Sequence, residues 1–269
     1  MSSDITRLSY FILGSSDTTY LKYDKGQDEI TLFDSKQNII NDNYSIRNEF
    51  FSSSSGNKLN AWMLKPKNQK PIGTILHFHG SAANILLQYS AIAPLVEEGF
   101  QVFTFDYSGY GYSEGKSTRD NVLSDAYSAL EYLSKKEEVK NKKLIIYGQS
   151  YGGYLASIVS AKHQDKIDGL VIEGAFSSHK AEAKHTVPFL GNIVKDGPIA
   201  TTEIQKNHKP VLVIHSTEDK KVPIRFGKQI FESANHPKEF FEIDRPHIAG
   251  LQYYAEEISD KIKQLMQIN

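Results

Sequence analysis

The apolar run Leu144-Ile145-Ile146-Tyr147 passes without a spacer into Gly148-Gln149-Ser150-Tyr151-Gly152-Gly153 and then into a helix-compatible stretch, 152–162. Few folds accept that order. A strand that turns straight into a helix forces the residue at the bend into a strained backbone conformation. It leaves no room for side chains at the two flanking positions, where Gly148 and Gly152 carry none. The turn therefore predicts a buried strand that lifts the Ser150 hydroxyl above the carboxyl edge of a sheet. There the N–H groups and dipole of the following helix favour developing negative charge.

The rest of the chain supplies such a sheet. Short apolar runs at 72–78, 101–105, 143–147, 169–172, 211–215 and 239–243 are mostly too apolar on both sides for half-exposed strands and suit central parallel strands. Helix-like patterns at 84–98, 119–135, 152–162, 224–233 and 251–267 alternate with them, which predicts an α/β fold with a mostly parallel sheet and helices on both faces. Two strands at 44–51 and 59–64, joined by a hairpin turn around Ser52 to Asn57, form an antiparallel entry. One domain over residues 1–269 is expected, interrupted at 175–208 by a stretch that breaks the rhythm and is read as a small cap over the site. The apolar patches at 21–23 and 30–33 fit edge strands or a docking arm equally well.

Composition narrows the chemistry. The 269 residues contain no cysteine, which excludes disulfides, thiolate metal sites and a cysteine nucleophile, so any nucleophile is an oxygen or an amine. With 31 basic against 32 acidic residues, nothing in the charge points to a nucleic-acid partner. The first residues hold no apolar run long enough for a membrane span and no secretory signal, so a cytoplasmic location is expected. Oligomeric state leaves no trace in the sequence.

Ser150 needs a base within hydrogen-bond reach. Of the nine histidines, His247 fits by position, because it follows the last strand pattern, precedes the last helix pattern and so stands at the same sheet edge as Ser150. The orienting acid is expected after the strand at 211–215, where Glu218 and Asp219 compete. Asp219 is preferred because the segment resembles the H-G-x-x-D-x-x-V-P loop of many α/β-hydrolases, with His215 and Val222-Pro223 in register and Ser216 in place of the usual glycine. The order Ser, Asp, His then follows the known chain order of such triads. An oxyanion hole would draw one N–H from Tyr151 and another from Ser81, in the small-residue loop His79-Gly80-Ser81-Ala82-Ala83-Asn84; His79 is read as a brace for that loop. Phe176, Phe189 and Leu190 suit an apolar acyl pocket if they face inward, or a small packed core beneath the cap if they do not.

These residues, with Phe105-Asp106-Tyr107-Ser108-Gly109-Tyr110-Gly111-Tyr112-Ser113, resemble α/β-hydrolases of the Bem46-like group from about residue 50 to the end of the chain. The resemblance implies a serine esterase or thioesterase without cofactor or metal, and in some eukaryotic members removal of palmitate from protein cysteines. The chain departs from the pattern at Ser108, where arginine is common, at Ser216, where glycine is common, and in the Ile248-Ala249-Gly250 that follows His247. The expected partner is a small or acyl ester substrate. A peptidase or amidase using the same triad, and a binding module that kept the fold without catalysis, stand as the alternatives.

Overall fold

The computed structural model describes residues 5–8, 19–187, 189 and 193–268. Five strands come first: β1 (Ile5–Leu8), β2 (Thr19–Asp24), β3 (Glu29–Phe33), β4 (Tyr44–Ser52) and β5 (Lys58–Pro66). The alternating part runs β6 (Thr74–Phe78), α1 (Ile85–Gln88), α2 (Pro94–Glu97), β7 (Gln101–Phe105), α3 (Arg119–Ser134), β8 (Leu144–Gln149) and α4 (Tyr151–Lys162). It continues with β9 (Gly169–Glu173), α5 (His179–Thr186), α6 (Ala200–Glu203), β10 (Val211–Ser216), α7 (Ile224–Ser233), β11 (Lys238–Ile243) and α8 (Gly250–Met266).

All strands join one sheet in the order β1-β2-β3-β4-β5-β7-β6-β8-β9-β10-β11. Pairings from β1 to β5, and β5 with β7, are antiparallel; those from β7 across to β11 are parallel. The patches at 21–23 and 30–33 thus lie in β2 and β3, inside the antiparallel end of the sheet and next to β1 at its edge, and the first four residues fall outside the described residues.

Alternation along each parallel strand divides the core in two. Leu76, Phe78, Ile146, Ile172 and Val213 pack on one face with Leu130 of α3, Leu155 of α4 and Ile230 of α7. Ile75, Ile145, Tyr147, Val171 and Ile214 pack on the other with Leu95 of α2 and Ile258 and Ile262 of α8. Burial on both sides is why these runs lack the polar-apolar alternation of an exposed sheet.

Local chemistry sets the helix boundaries. Thr118 caps α3 by accepting the Asn121 N–H at 3.2 Å. The single helix expected over 84–98 is instead two short ones: Asn84 caps α1 at Leu87 N (3.1 Å), a 3₁₀ turn follows, and Pro94 opens α2 at its first position. Proline lacks the N–H that an unbroken helix would need there.

The sheet reverses its order of growth at β6, whose neighbours are β7 and β8. In wound α/β sheets such a reversal leaves a crevice at the carboxyl ends of the strands. Phe78 of β6 lies opposite Gly148 of β8, so the loops that follow these two strands emerge side by side. Ser216 of β10 pairs with Ile243 of β11, which sets the two loops after those strands together in the same way.

Candidate active site

Ser150 sits in the turn between β8 and α4 at φ 55° and ψ −117°, a strained conformation for an L-residue. The surroundings hold it there. Its N–H donates to the Glu173 carbonyl at 2.8 Å, and its own carbonyl accepts the N–H groups of Gly153 and Tyr154 at 3.0 and 3.2 Å. A Cβ on Gly148 would come within 2.3 Å of the Gly152 carbonyl oxygen, so the turn closes only without one.

His247 lies between β11 and α8 and is 8% exposed. Its Nε2 is 3.0 Å from Ser150 Oγ, and its Nδ1 is 2.6 Å from Asp219 Oδ2. A carboxylate only accepts, so the ring proton belongs on Nδ1, which leaves Nε2 free to accept the serine hydroxyl proton. Asp219 is held by the N–H groups of Lys221 (2.9 Å) and Val222 (2.8 Å) on Oδ1. The Val222 carbonyl is in turn fixed by His215 Nε2 at 2.7 Å, which gives the histidine of the H-x-x-x-D pattern a bracing part. Glu218, the competing carboxylate, is exposed, and Asp244 hydrogen-bonds the Tyr254 hydroxyl.

Burial works against a charge on Asp219. The His247 hydrogen bond and charge, with the Val222 N–H, outweigh it and hold the carboxyl below the ordinary aspartate value. The carboxyl is therefore ionised at neutral pH.

The loop after β6 passes beside Ser150. A Cβ built on Gly80 would lie 3.5 Å from the Ser150 Cβ. Gln88 of α1 straps this loop, accepting the Gly80 N–H at 3.1 Å and donating to the carbonyls of Gly80 (2.9 Å) and Ala83 (2.6 Å). The Tyr110 hydroxyl donates to the Ser81 carbonyl at 3.1 Å and the Tyr107 hydroxyl to that of His79 at 3.0 Å. His79 Nδ1 meets the Gly80 carbonyl at 2.7 Å, and burial lowers this histidine to about 4, so it braces the loop as a neutral ring. Ser81 thus stands on a fixed loop next to the Ser150 turn, and Tyr151 opens α4, where the first N–H groups have no partner within the helix.

A cleft of about 710 Å³ opens above Ser150 and His247, walled by Ala83, Leu87, Glu182, His185, Lys221 and Val222. The expected acyl-pocket residues are not in that wall. Phe176 is buried, its ring stacked 5.1 Å from that of Tyr154, and so belongs to the packed layer below. Phe189 is 90% exposed, and Leu190 lies outside the described residues. The wall comes instead from α5, whose Glu182, His185 and Thr186 share one helix face. Their three- and four-residue spacing was visible in the sequence; the direction of that face was not. Among the described residues no cluster of three or more histidine, aspartate or glutamate side chains could hold a metal ion.

Asp106, in the turn after β7, accepts from Ile85 N (2.7 Å) and Asn60 Nδ2 (3.2 Å) and is raised to about 6 by burial. Its folded value exceeds its unfolded one, so between the ordinary aspartate value and about 6 the native state binds more protons and Asp106 costs stability as pH rises. Urea unfolding of Asp106→Asn should therefore show a flatter decline in stability from pH 4 to 6.5 than wild type. Parallel curves would mean that Asp106 does not titrate in that window.

A sequence model of the α/β-hydrolase fold matches residues 73–197. The YfhR protein of Salmonella typhi is 29% identical over 213 residues, covering 74% of this chain and 73% of that one. Protein bem46 of Schizosaccharomyces pombe is 32% identical over 173 residues, 60% of this chain and 56% of its own. The Pyrococcus furiosus esterase Pf2001 superposes with a TM-score of 0.68 at 20% identity, covering 83% of this chain and 93% of that one. The chain is an α/β hydrolase by fold. Within that fold its sequence is similar to that of bem46. Among the described residues no helix is long and apolar enough to cross a membrane.

Proposed function

We propose that this protein is a serine hydrolase of carboxylic esters or thioesters, acting through Ser150, His247 and Asp219. The unbroken chain of contacts from Ser150 Oγ to His247 Nε2 (3.0 Å) and from His247 Nδ1 to Asp219 Oδ2 (2.6 Å) carries this reading. In the reaction, His247 Nε2 takes the hydroxyl proton as Ser150 Oγ bonds to the ester carbonyl carbon. The carbonyl oxygen gains the displaced electron pair, stabilised by the N–H groups of Ser81 and Tyr151. The imidazolium gives its proton to the departing alcohol or thiol, and an acyl-enzyme remains. Water, deprotonated by the same ring, releases the acid and restores Ser150. Asp219 holds the tautomer and balances the imidazolium charge without taking the proton.

The chain is proposed as one domain, with 175–208 as a cap. The support is that α5 puts Glu182, His185 and Thr186 on the cleft wall above Ser150. The presence of Pf2001, an esterase, among the structural neighbours fits ester chemistry.

Treatment with a fluorophosphonate followed by peptide mapping tests the reading. A single adduct on the peptide carrying Ser150 is expected. A folded protein that takes up no adduct, or takes it up elsewhere, would remove the nucleophile from the mechanism.

A further inference from the structure

We infer that Glu173, at the carboxyl end of β9, is a positioning residue that fastens the His247 turn to the nucleophile turn from beneath the site. The inference rests on the serine-hydrolase reading above. Glu173 is buried, 1% exposed, on the α8 face of the sheet. Its main-chain carbonyl accepts the Ser150 N–H at 2.8 Å. Its side chain reaches the other partner: Oε1 accepts the N–H of Gly250, the first residue of α8 and three positions past His247, at 2.7 Å. One residue thus ties down both the nucleophile and the segment that carries the base.

All three side-chain contacts on the carboxyl group come from donors. Oε2 accepts from the Tyr147 hydroxyl at 3.0 Å and from Gln149 Nε2 at 2.8 Å. The orientation of Gln149 is set in turn, because its Oε1 faces His77 Nε2 at 3.1 Å, and His77 Nδ1 faces Thr104 Oγ1 at 3.0 Å. A string of buried polar groups therefore crosses β7, β6, β8 and β9 and ends on Glu173. Gln149 can offer Glu173 only its N–H₂, so Gln149 and Gly250, with the Tyr147 hydroxyl, present donors to a group that accepts. A buried carboxyl that was mere filler would not gather three donors.

Gly250 is part of the same device. A Cβ there would come 2.7 Å from Glu173 Oε1, so only glycine lets the carboxylate reach the main chain of the α8 first turn. Glycine at 174, at φ 60°, likewise leaves space in which the His247 ring lies, 3.2 Å from where a Cβ would stand.

Burial raises the Glu173 carboxyl above the ordinary glutamate value; the hydrogen bonds from Gln149, Gly250 and Tyr147, and the charge of His247, the titratable group facing it besides Tyr147 from β8, work the other way.

The test compares wild type, Glu173→Gln and Gly250→Ala in p-nitrophenyl acetate hydrolysis across pH, with circular dichroism to establish that each is folded. Glu173→Gln should lower kcat on the order of ten- to hundredfold with KM unchanged, since misplaced reacting groups cost rate. Gly250→Ala keeps the carboxylate but pushes it from the N–H, and should lower kcat in the same way. A wild-type kcat in Glu173→Gln, a loss that appears in KM instead, or a change in thermal stability alone, would overturn the positioning role while leaving the triad intact. Absence of turnover in wild type as well would overturn the hydrolase reading and this role with it.

Discussion

His247→Ala should lower kcat on a p-nitrophenyl ester by about 10⁶, and adding Ser150→Ala to it should cost nothing further. Without the imidazole, Ser150 Oγ keeps its proton and is a poor nucleophile at neutral pH. Without Ser150, the imidazole has no hydroxyl to deprotonate. The two side chains, 3.0 Å apart, act as one unit, so the first loss already removes what the second would remove. Asp219→Asn should cost less, about 10⁴, because the base is still present. An amide NH₂ toward His247 would turn the ring proton to Nε2 and point it at Ser150, which is the wrong tautomer. What survives in every variant is binding and the oxyanion N–H pair. Single-turnover kinetics on folded variants measures the ranking. Losses that add between Ser150 and His247 would mean that the two do not work in one step.

The distance from Ser150 to His247 to Asp219 in sequence shows what a pattern of residues can and cannot convey. The turn after β8 was legible because its sterics demand glycine at 148 and 152. The parallel core was legible because strands buried on both faces read as continuous apolar runs. His247 followed from edge and order, and the structure brings it to Ser150 as that order requires. Phe176 was ambiguous for a physical reason: an aromatic just past a buried strand satisfies the same pattern whether it faces a ligand or, as here, stacks on Tyr154. The wall residues of α5 were hidden because the helix is short and polar, with nothing to show which face looks inward. Glu173 had no signal at all. A glutamate ending an apolar strand reads as the point where the strand leaves the core, and only the approach of Gly250 shows that it stays inside.

Gly152→Ala should be among the most damaging single substitutions in the chain, although it adds one methyl group and improves helix propensity. A Cβ at 152 would stand 1.8 Å from the Phe78 carbonyl oxygen and 2.8 Å from that of His79. Both are main-chain atoms of β6 and the loop that follows, so no side chain can swing aside. To relieve the contact, α4 must lift from the sheet. That separates Leu155 and Val159 from the layer they pack in and carries Ser150, at the head of the helix, away from His247. The cost should exceed about 4 kcal/mol, the range reached when packing fails around backbone rather than at one rotamer. Urea denaturation should give either no folded protein or a sharply lowered midpoint, and any folded fraction should react slowly with fluorophosphonate. A variant with wild-type stability and labelling would mean that the turn has slack, and that the close approach of α4 to β6 is not what holds Ser150 in its strained position.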